Sequence, residues 1–229
     1  MGRKFLLWSI WLIFTGYTAW LAPLDQPDTW SLLQKLLTFQ LGSINAYLVA
    51  IFWLMGVWPM IYACLMFVDG RMQQIPAWPY FLASNGSGVI GLIPYLGLRD
   101  RNQTFSGQKD RWLELLDSHR MGAVLSLTTA GLIAYALLVG DWGDFVHQWQ
   151  TEPFVHLISL DFCLMCLVFP LTSLFNDDMA RRDFNDARIF WIVALVPLFG
   201  PLAYLCVRPP LQNSVQDREA MPSHPVERF

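Results

Sequence analysis

The sequence predicts an all-α protein, a polytopic transmembrane helix bundle of about six spans plus two interfacial helices. Of its 229 residues 55% are hydrophobic and only 14% charged, and the mean hydropathy is +0.38, more apolar surface than a soluble domain of this size hides in a core. The apolar residues also come in blocks. A bilayer core of roughly 30 Å takes about 20 apolar residues per helix, and runs near that length recur along the chain. The formal charge of −3 gives no basic face for nucleic acid, so the expected partners are the lipid bilayer, other membrane proteins or a small solute.

The first block runs from Phe5 to Ala22 behind Arg3 and Lys4 and stops at Pro23. Trp20 and Pro23 spoil a signal-peptidase site after Ala22, so the block is expected to remain as an uncleaved span. Trp30, Leu33, Leu36 and Leu37 then recur at helical spacing around Gln34 and Lys35, the pattern of a helix lying in the interface. The second span is expected from Ser43 to Val68, kinked at Pro59 and closed by Asp69-Gly70-Arg71. The third, Ala77 to Leu98, carries Ser84-Asn85-Gly86-Ser87-Gly88 at its centre, a run of poor helix formers that predicts a break.

Between Asp100 and Arg120, the residues Trp112, Leu115, Leu116 and His119 share one helical face opposite charged neighbours, a second interfacial helix. The fourth block, Met121 to Val139, is rich in Gly, Ala, Ser and Thr, suited to close packing in the middle of the bundle. Phe154 to Phe175 is the fifth span, with Asp161 inside it, and Ile189 to Val207 is the sixth. Residues 1–207 thus form the membrane domain, and the polar, Pro-containing stretch 208–229 is expected to be a disordered tail. With six spans, the basic loops around Arg99–Arg120 and Arg181–Arg188 fall on one side, and Arg3, Lys4, Arg71 and the tail on the other. The two sides compete, so charge leaves the orientation open.

Shifting the chain by 109 residues sets Leu65, Asp69, Phe81, Gly91, Tyr95, Leu96 and Arg99 on Leu174, Asp178, Phe190, Gly200, Tyr204, Leu205 and Arg208. Each half reads as helix, acidic turn, and helix ending in Gly-x-x-x-Tyr-Leu-x-x-Arg. Six spans would place the two acidic turns on opposite faces and make the repeat inverted, as in many secondary transporters. Leu-rich helices also share residues by composition alone, so duplication and coincidence both stand.

Asp161 is the sharpest candidate for chemistry, because an unpaired charge inside a span costs about 2.5–3.5 kcal/mol on insertion scales. Two readings stand beside each other: a proton or ion site with Asn85 or Asn45 supplying hydrogen bonds, or a carboxyl that fixes helix packing. Cys163 and Cys166 form a Cys-x-x-Cys on an apolar helix, where cysteines behave as small apolar residues. The sequence shows no HExxH, Walker loop or GxSxG motif. No catalytic residue, cofactor or metal ligand is therefore expected.

The stretch from Trp191 through Val196-Pro197-Leu198-Phe199-Gly200-Pro201 to Tyr204 and Arg208 resembles the hairpin that precedes the catalytic domains of cardiolipin synthases and phospholipases D. The His-x-Lys motifs that carry phosphatidyl transfer in those enzymes are absent here, so the resemblance does not bring that activity. The wider pattern of Gly56-Val57-Trp58-Pro59, Asp69-Gly70-Arg71, Asp161-Phe162 and Asn176-Asp177-Asp178-Met179 is similar to uncharacterised membrane proteins of cyanobacteria and plastids. That resemblance implies a thylakoid or plasma-membrane setting and a non-enzymatic accessory or assembly role in a photosynthetic membrane. The residues themselves support a rival, a small-solute or proton-coupled transporter built around Asp161, and more distantly a membrane lipid enzyme.

Overall fold

Apolar runs fold as helices because a helix satisfies its own backbone groups where the surroundings offer no partner. The computed structural model describes residues 2–184 and 186–211, and among these there are helices and short turns but no strand. Twelve α-helices follow in order: α1 (Gly2–Leu21), α2 (Pro27–Leu37), α3 (Ala46–Asp69), α4 (Trp78–Ser87), α5 (Val89–Leu98), α6 (Arg111–Asp117), α7 (His119–Val139), α8 (Trp142–Thr151), α9 (Pro153–Leu171), α10 (Leu174–Ala180), α11 (Ala187–Leu195) and α12 (Phe199–Val207). Three helices are long and apolar enough to cross a membrane: Ala46–Gly70, His119–Val139 and Pro153–Leu171. The helical bundle expected from composition is therefore present, with a short helix at each amphipathic stretch, α2 and α6, although α6 ends at Asp117 and His119, expected on its face, opens α7 behind the Ser118 cap.

Side-chain caps mark where several helices start. Asn45 accepts from the Tyr47 amide at α3, Asp110 from Leu113 at α6, Ser118 from Met121 at α7 and Asp141 from Asp144 at α8, each supplying an acceptor to a backbone donor that the helix itself leaves free. Helix α3 runs unbroken through Pro59. Trp58, Tyr62, Ile93, Met165, Phe169, Phe175 and Leu202 form the centre of the core, drawn from α3, α5, α9, α10 and α12.

The third and sixth apolar blocks do not run through the bundle. Each is a pair of short helices folded back on itself, α4 on α5 and α11 on α12. Tyr80 and Tyr95 meet across the first pair with tilted rings, centroids 5.6 Å apart, and a Cβ on Gly91 would run into the Ala83 backbone. In the second pair a Cβ on Gly200 would run into the Val193 backbone. In one continuous helix residues seven or eight positions apart lie more than about 10 Å apart. Each ten-residue arm of the first hairpin is about 15 Å long, half a bilayer core. Both turns use a left-handed residue, Gly88 at φ 56° and Leu198 at φ 66°.

Folding two blocks back changes which loops share an end. Lys4 pairs with Asp100 at 3.5 Å and Arg71 with Asp110, so Lys4, Arg71 and Arg208 lie at the same end as Arg99 and Arg181, not opposite them. At the other end, among the described residues, Lys35 faces Asp25, Asp28, Asp141, Asp144 and Glu152. The repeat is accordingly parallel instead of inverted: both acidic turns sit at the arginine end, each followed by a hairpin that dips into the bundle and returns.

Two further expectations shift. Helix α7 lies on the outside of the bundle, burying a stripe of Gly122, Leu125, Thr129 and Ala136, because the hairpins fill the middle. Its small residues still serve close approach, for Gly122 lies against the Leu205–Cys206 backbone of α12. Arg208 and Leu211, assigned above to the tail, are buried, since Arg208 finds its counter-ions inside; the rest of the expected tail, 212–229, lies outside the described residues.

Candidate functional site

Two polar assemblies stand out against the apolar bundle. The first is a buried ion network at the arginine end. Asp69 closes α3, and its carboxylate accepts from the Tyr95 hydroxyl at 2.7 Å and from Arg99 Nε at 2.8 Å. Arg99 also donates to Asp177 at 2.8 Å and to the Ser173 hydroxyl at 2.7 Å, while Arg181 donates to Asp69 and to the Asn102 carbonyl. The second motif repeats the first: Asp178 accepts from the Tyr204 hydroxyl at 2.8 Å and from Arg208 at 3.3 Å. Arg182 links Asp178 to Asp117 at 3.0 and 2.6 Å, and Lys109 closes on Asp117 at 2.8 Å.

Burial opposes charge on Asp117 and Asp178, yet Arg182 and Arg208 beside them outweigh it and hold both carboxyls below their ordinary value. Burial likewise disfavours the Arg99 cation, and hydrogen bonds to Asp69 and Asp177 hold its guanidinium above its ordinary value. These groups are paired with each other and turned inward, so their chemistry is to clamp the feet of both hairpins. Sequence reading took the charged turns for ordinary loops. The signal was present in the 109-residue echo, which had already set Asp69, Tyr95 and Arg99 on Asp178, Tyr204 and Arg208.

The second assembly lies at the tip of the first hairpin, where the sequence predicted a break. Asp161, half-buried on α9, accepts from the Val89 amide at 2.8 Å. This is the first amide of α5, so a carboxylate from another helix caps an N-terminus that its own chain leaves open. Gly88 is required there twice: its φ of 56° suits glycine, and a Cβ would fall on the Asp161 carboxylate. Trp11 on α1 steadies the same turn by donating to the Ile90 carbonyl at 2.9 Å.

An open cavity of about 430 Å³ begins at this tip. Ser84, Asn85, Ser87 and Asp161 line it together with Phe14, Phe52, Trp53 and Phe154, and with Pro23, Leu33 and Leu37 from the stretch that joins α1 to α3 at the acidic end. Of the three candidates, Asp161 and Asn85 thus share a site. Asn45 does not, because it caps α3 at the acidic end and donates to Asp144 and to the Asp141 carbonyl, both at 2.7 Å. His156 is also apart, bonded to the Tyr17 hydroxyl at 2.9 Å.

Cys163 and Cys166 are free thiols on α9, and among the described residues no group of three or more His, Cys, Asp or Glu could hold a metal. The second hairpin has no polar counterpart. Where the first has Ser84 to Gly88, the matched positions are Val193, Ala194, Leu195, Val196 and Pro197, so the site is a departure of one copy from the shared plan. Comparison with protein-family models, with curated proteins and with solved structures yields no match.

Proposed function

We propose that the chain is a multi-pass membrane protein that binds a small ligand in the cavity under the first hairpin tip, with Asp161 as the polar anchor. The observation that carries this reading is the asymmetry of the repeat: the two hairpins share their Asp-Tyr-Arg feet, and the first ends in hydrogen-bonding groups beside a carboxylate and a cavity where the second has Val193 to Pro197. Helices α3, α7 and α9 are crossings, α1 is added as a fourth because its 20 residues run from Lys4 at the arginine end to Leu21 at the acidic end, and the two hairpins are half-length insertions. The arginine end faces the cytoplasmic side, because the positive charges near the crossings gather there.

The ion network favours a fixed site over a rocking carrier. A carrier motion that parted Asp69, Arg99, Asp177 and Arg181 would leave a buried charge unpaired, at a cost of about 3–5 kcal/mol. A lipid enzyme is disfavoured because the cavity brings no histidine to its serines. The accessory role in a photosynthetic membrane ranks behind ligand binding, since it rests on the family resemblance whereas the cavity is a feature of this chain.

The test is to purify the protein in mild detergent and identify small molecules that remain with it by mass spectrometry, beside a Gly56→Leu variant. Gly56 lines the cavity, and a Cβ there meets nothing within 4 Å, so a leucine side chain starts from open space and takes up cavity volume. A compound retained by the wild type and lost from Gly56→Leu supports the reading. Identical profiles would remove it.

A further inference from the structure

Building on that cavity reading, we infer that the ligand is a lipophilic organic ammonium ion, with an apolar body and a protonated amine as its head. The first ground is the hydrogen-bonding inventory of the tip. Ser84 and Ser87 donate their hydroxyl protons to the Phe81 and Ala83 carbonyls at 2.8 and 2.9 Å, and Asn85 donates one amide proton to the Phe81 carbonyl at 2.8 Å. Most side-chain donors are therefore spent within α4. What remains for a ligand is mainly acceptors, the hydroxyl lone pairs, the Asn85 carbonyl oxygen and the second oxygen of Asp161, beside two donors, the second Asn85 amide proton and the Trp53 indole N–H. A head group that donates fits this set, whereas a carboxylate or phosphate does not.

The walls supply the second ground. Phe14, Phe52, Trp53 and Phe154 offer aromatic faces around an otherwise apolar space, and aromatic faces attract organic cations while burying their carbon body. A bare metal ion would leave such walls unused and the 430 Å³ largely empty. Charge at the approach is the third ground. The end toward which the cavity runs carries Asp25, Asp28, Asp141, Asp144 and Glu152 against Lys35, a field that concentrates cations near the mouth.

The experiment uses the full chain in phosphatidylcholine nanodiscs at neutral pH, with radiolabelled dodecylamine as the probe and dodecanol and dodecanoate as competitors. Wild-type protein is expected to bind dodecylamine saturably above the lipid background and to keep it when dodecanoate is added. Asp161→Asn, which retains an oxygen for the Val89 amide, is expected to weaken binding on the order of 30-fold, and Gly56→Leu to abolish it. If dodecanol or dodecanoate binds as well as the amine, and Gly56→Leu removes all of them while Asp161→Asn changes nothing, the ammonium assignment falls and the cavity stands. If no probe binds saturably, or Gly56→Leu binds them as the wild type does, the assignment and the cavity reading fall together. The competition arm needs wild-type protein alone, so it decides between head groups even if a variant misfolds.

Discussion

Asp69 and Asp178, 109 positions apart, hold the same place in two copies of one motif. Each accepts a hydrogen bond from a tyrosine hydroxyl 26 residues later and pairs with an arginine 30 residues later. Each tyrosine and arginine sits on the returning arm of a hairpin, so the motif ties the end of a helix to the foot of the hairpin that follows it. Two independent helices acquiring this by composition would not also share the partner spacing, and the echo is therefore structural.

Removing one partner from this motif is expected to be severe. Asp69→Asn leaves Arg99 and Arg181 without their shared carboxylate in a site where the side chains are 2% and 0% exposed, and should cost about 3–5 kcal/mol. The double change Asp69→Asn with Arg99→Gln should cost less than the sum of the singles, since the charges leave together. Thermal unfolding in detergent measures both, and a single variant that melts with the wild type would show that the pair bears no load.

Gly88→Ala should destabilise the hairpin tip by strain at positive φ and by collision with Asp161, together about 2–3 kcal/mol. Shortening the partner in the double variant Gly88→Ala with Asp161→Ala should recover the collision part but not the strain. Equal melting temperatures for the single and double variants would mean that the close approach is not what glycine is there to permit.

Acid should loosen the arginine end as Asp117 and Asp178 lose their charge. The folded Asp117 and Asp178 carboxyls lie below their ordinary value, with burial opposing and Arg182 and Arg208 favouring the charge. The unfolded chain therefore takes up protons first, and the stability is full above the ordinary carboxylate pKa near 4 and falls as pH drops through the lower folded values. Hydrogen exchange at α6 and α10, followed from pH 6 downward, should rise below about pH 4; protection that fades between pH 6 and 5 would contradict the assignment.

Orientation is open to labelling. A cysteine at Asp28, exposed at the acidic end, should react with an impermeant maleimide in intact cells, and one at Arg101, exposed at the arginine end, only after permeabilisation. Labelling of both from one side would break the four-crossing arrangement itself.

The class of fold and several elements were legible in composition and spacing. The amphipathic helices α2 and α6 announced themselves through Trp30, Leu33, Trp112 and Leu115, and Ser84 to Gly88 announced the break. Hydropathy could not distinguish a span from a hairpin, because Ala77 to Leu98 is as long as a crossing whether it runs straight or folds at Gly88. The separation of Arg99 and Arg181 from Lys4 and Arg71 followed directly, since one false crossing at Ala77 to Leu98 moves the loops between it and the second hairpin to the wrong side. Asp161 and Asn85 were found as polar residues in apolar surroundings. Asn45 was grouped with them although its bond to the Tyr47 amide is a local cap; its bonds to Asp141 and Asp144 depend on where α8 lies, which spacing does not encode.

The partner spacing of the Asp-Tyr-Arg motif also fixes an order of biogenesis. When Asp69 leaves the ribosome its counter-ion Arg99 is 30 residues behind it, whereas Arg181 is 112 behind. The first half can therefore neutralise its own acid during synthesis and wait as a closed unit, and the second half, with Asp178 and Arg208, does the same. Asp177, bonded to Arg99, and Arg181, bonded to Asp69, then join the two halves.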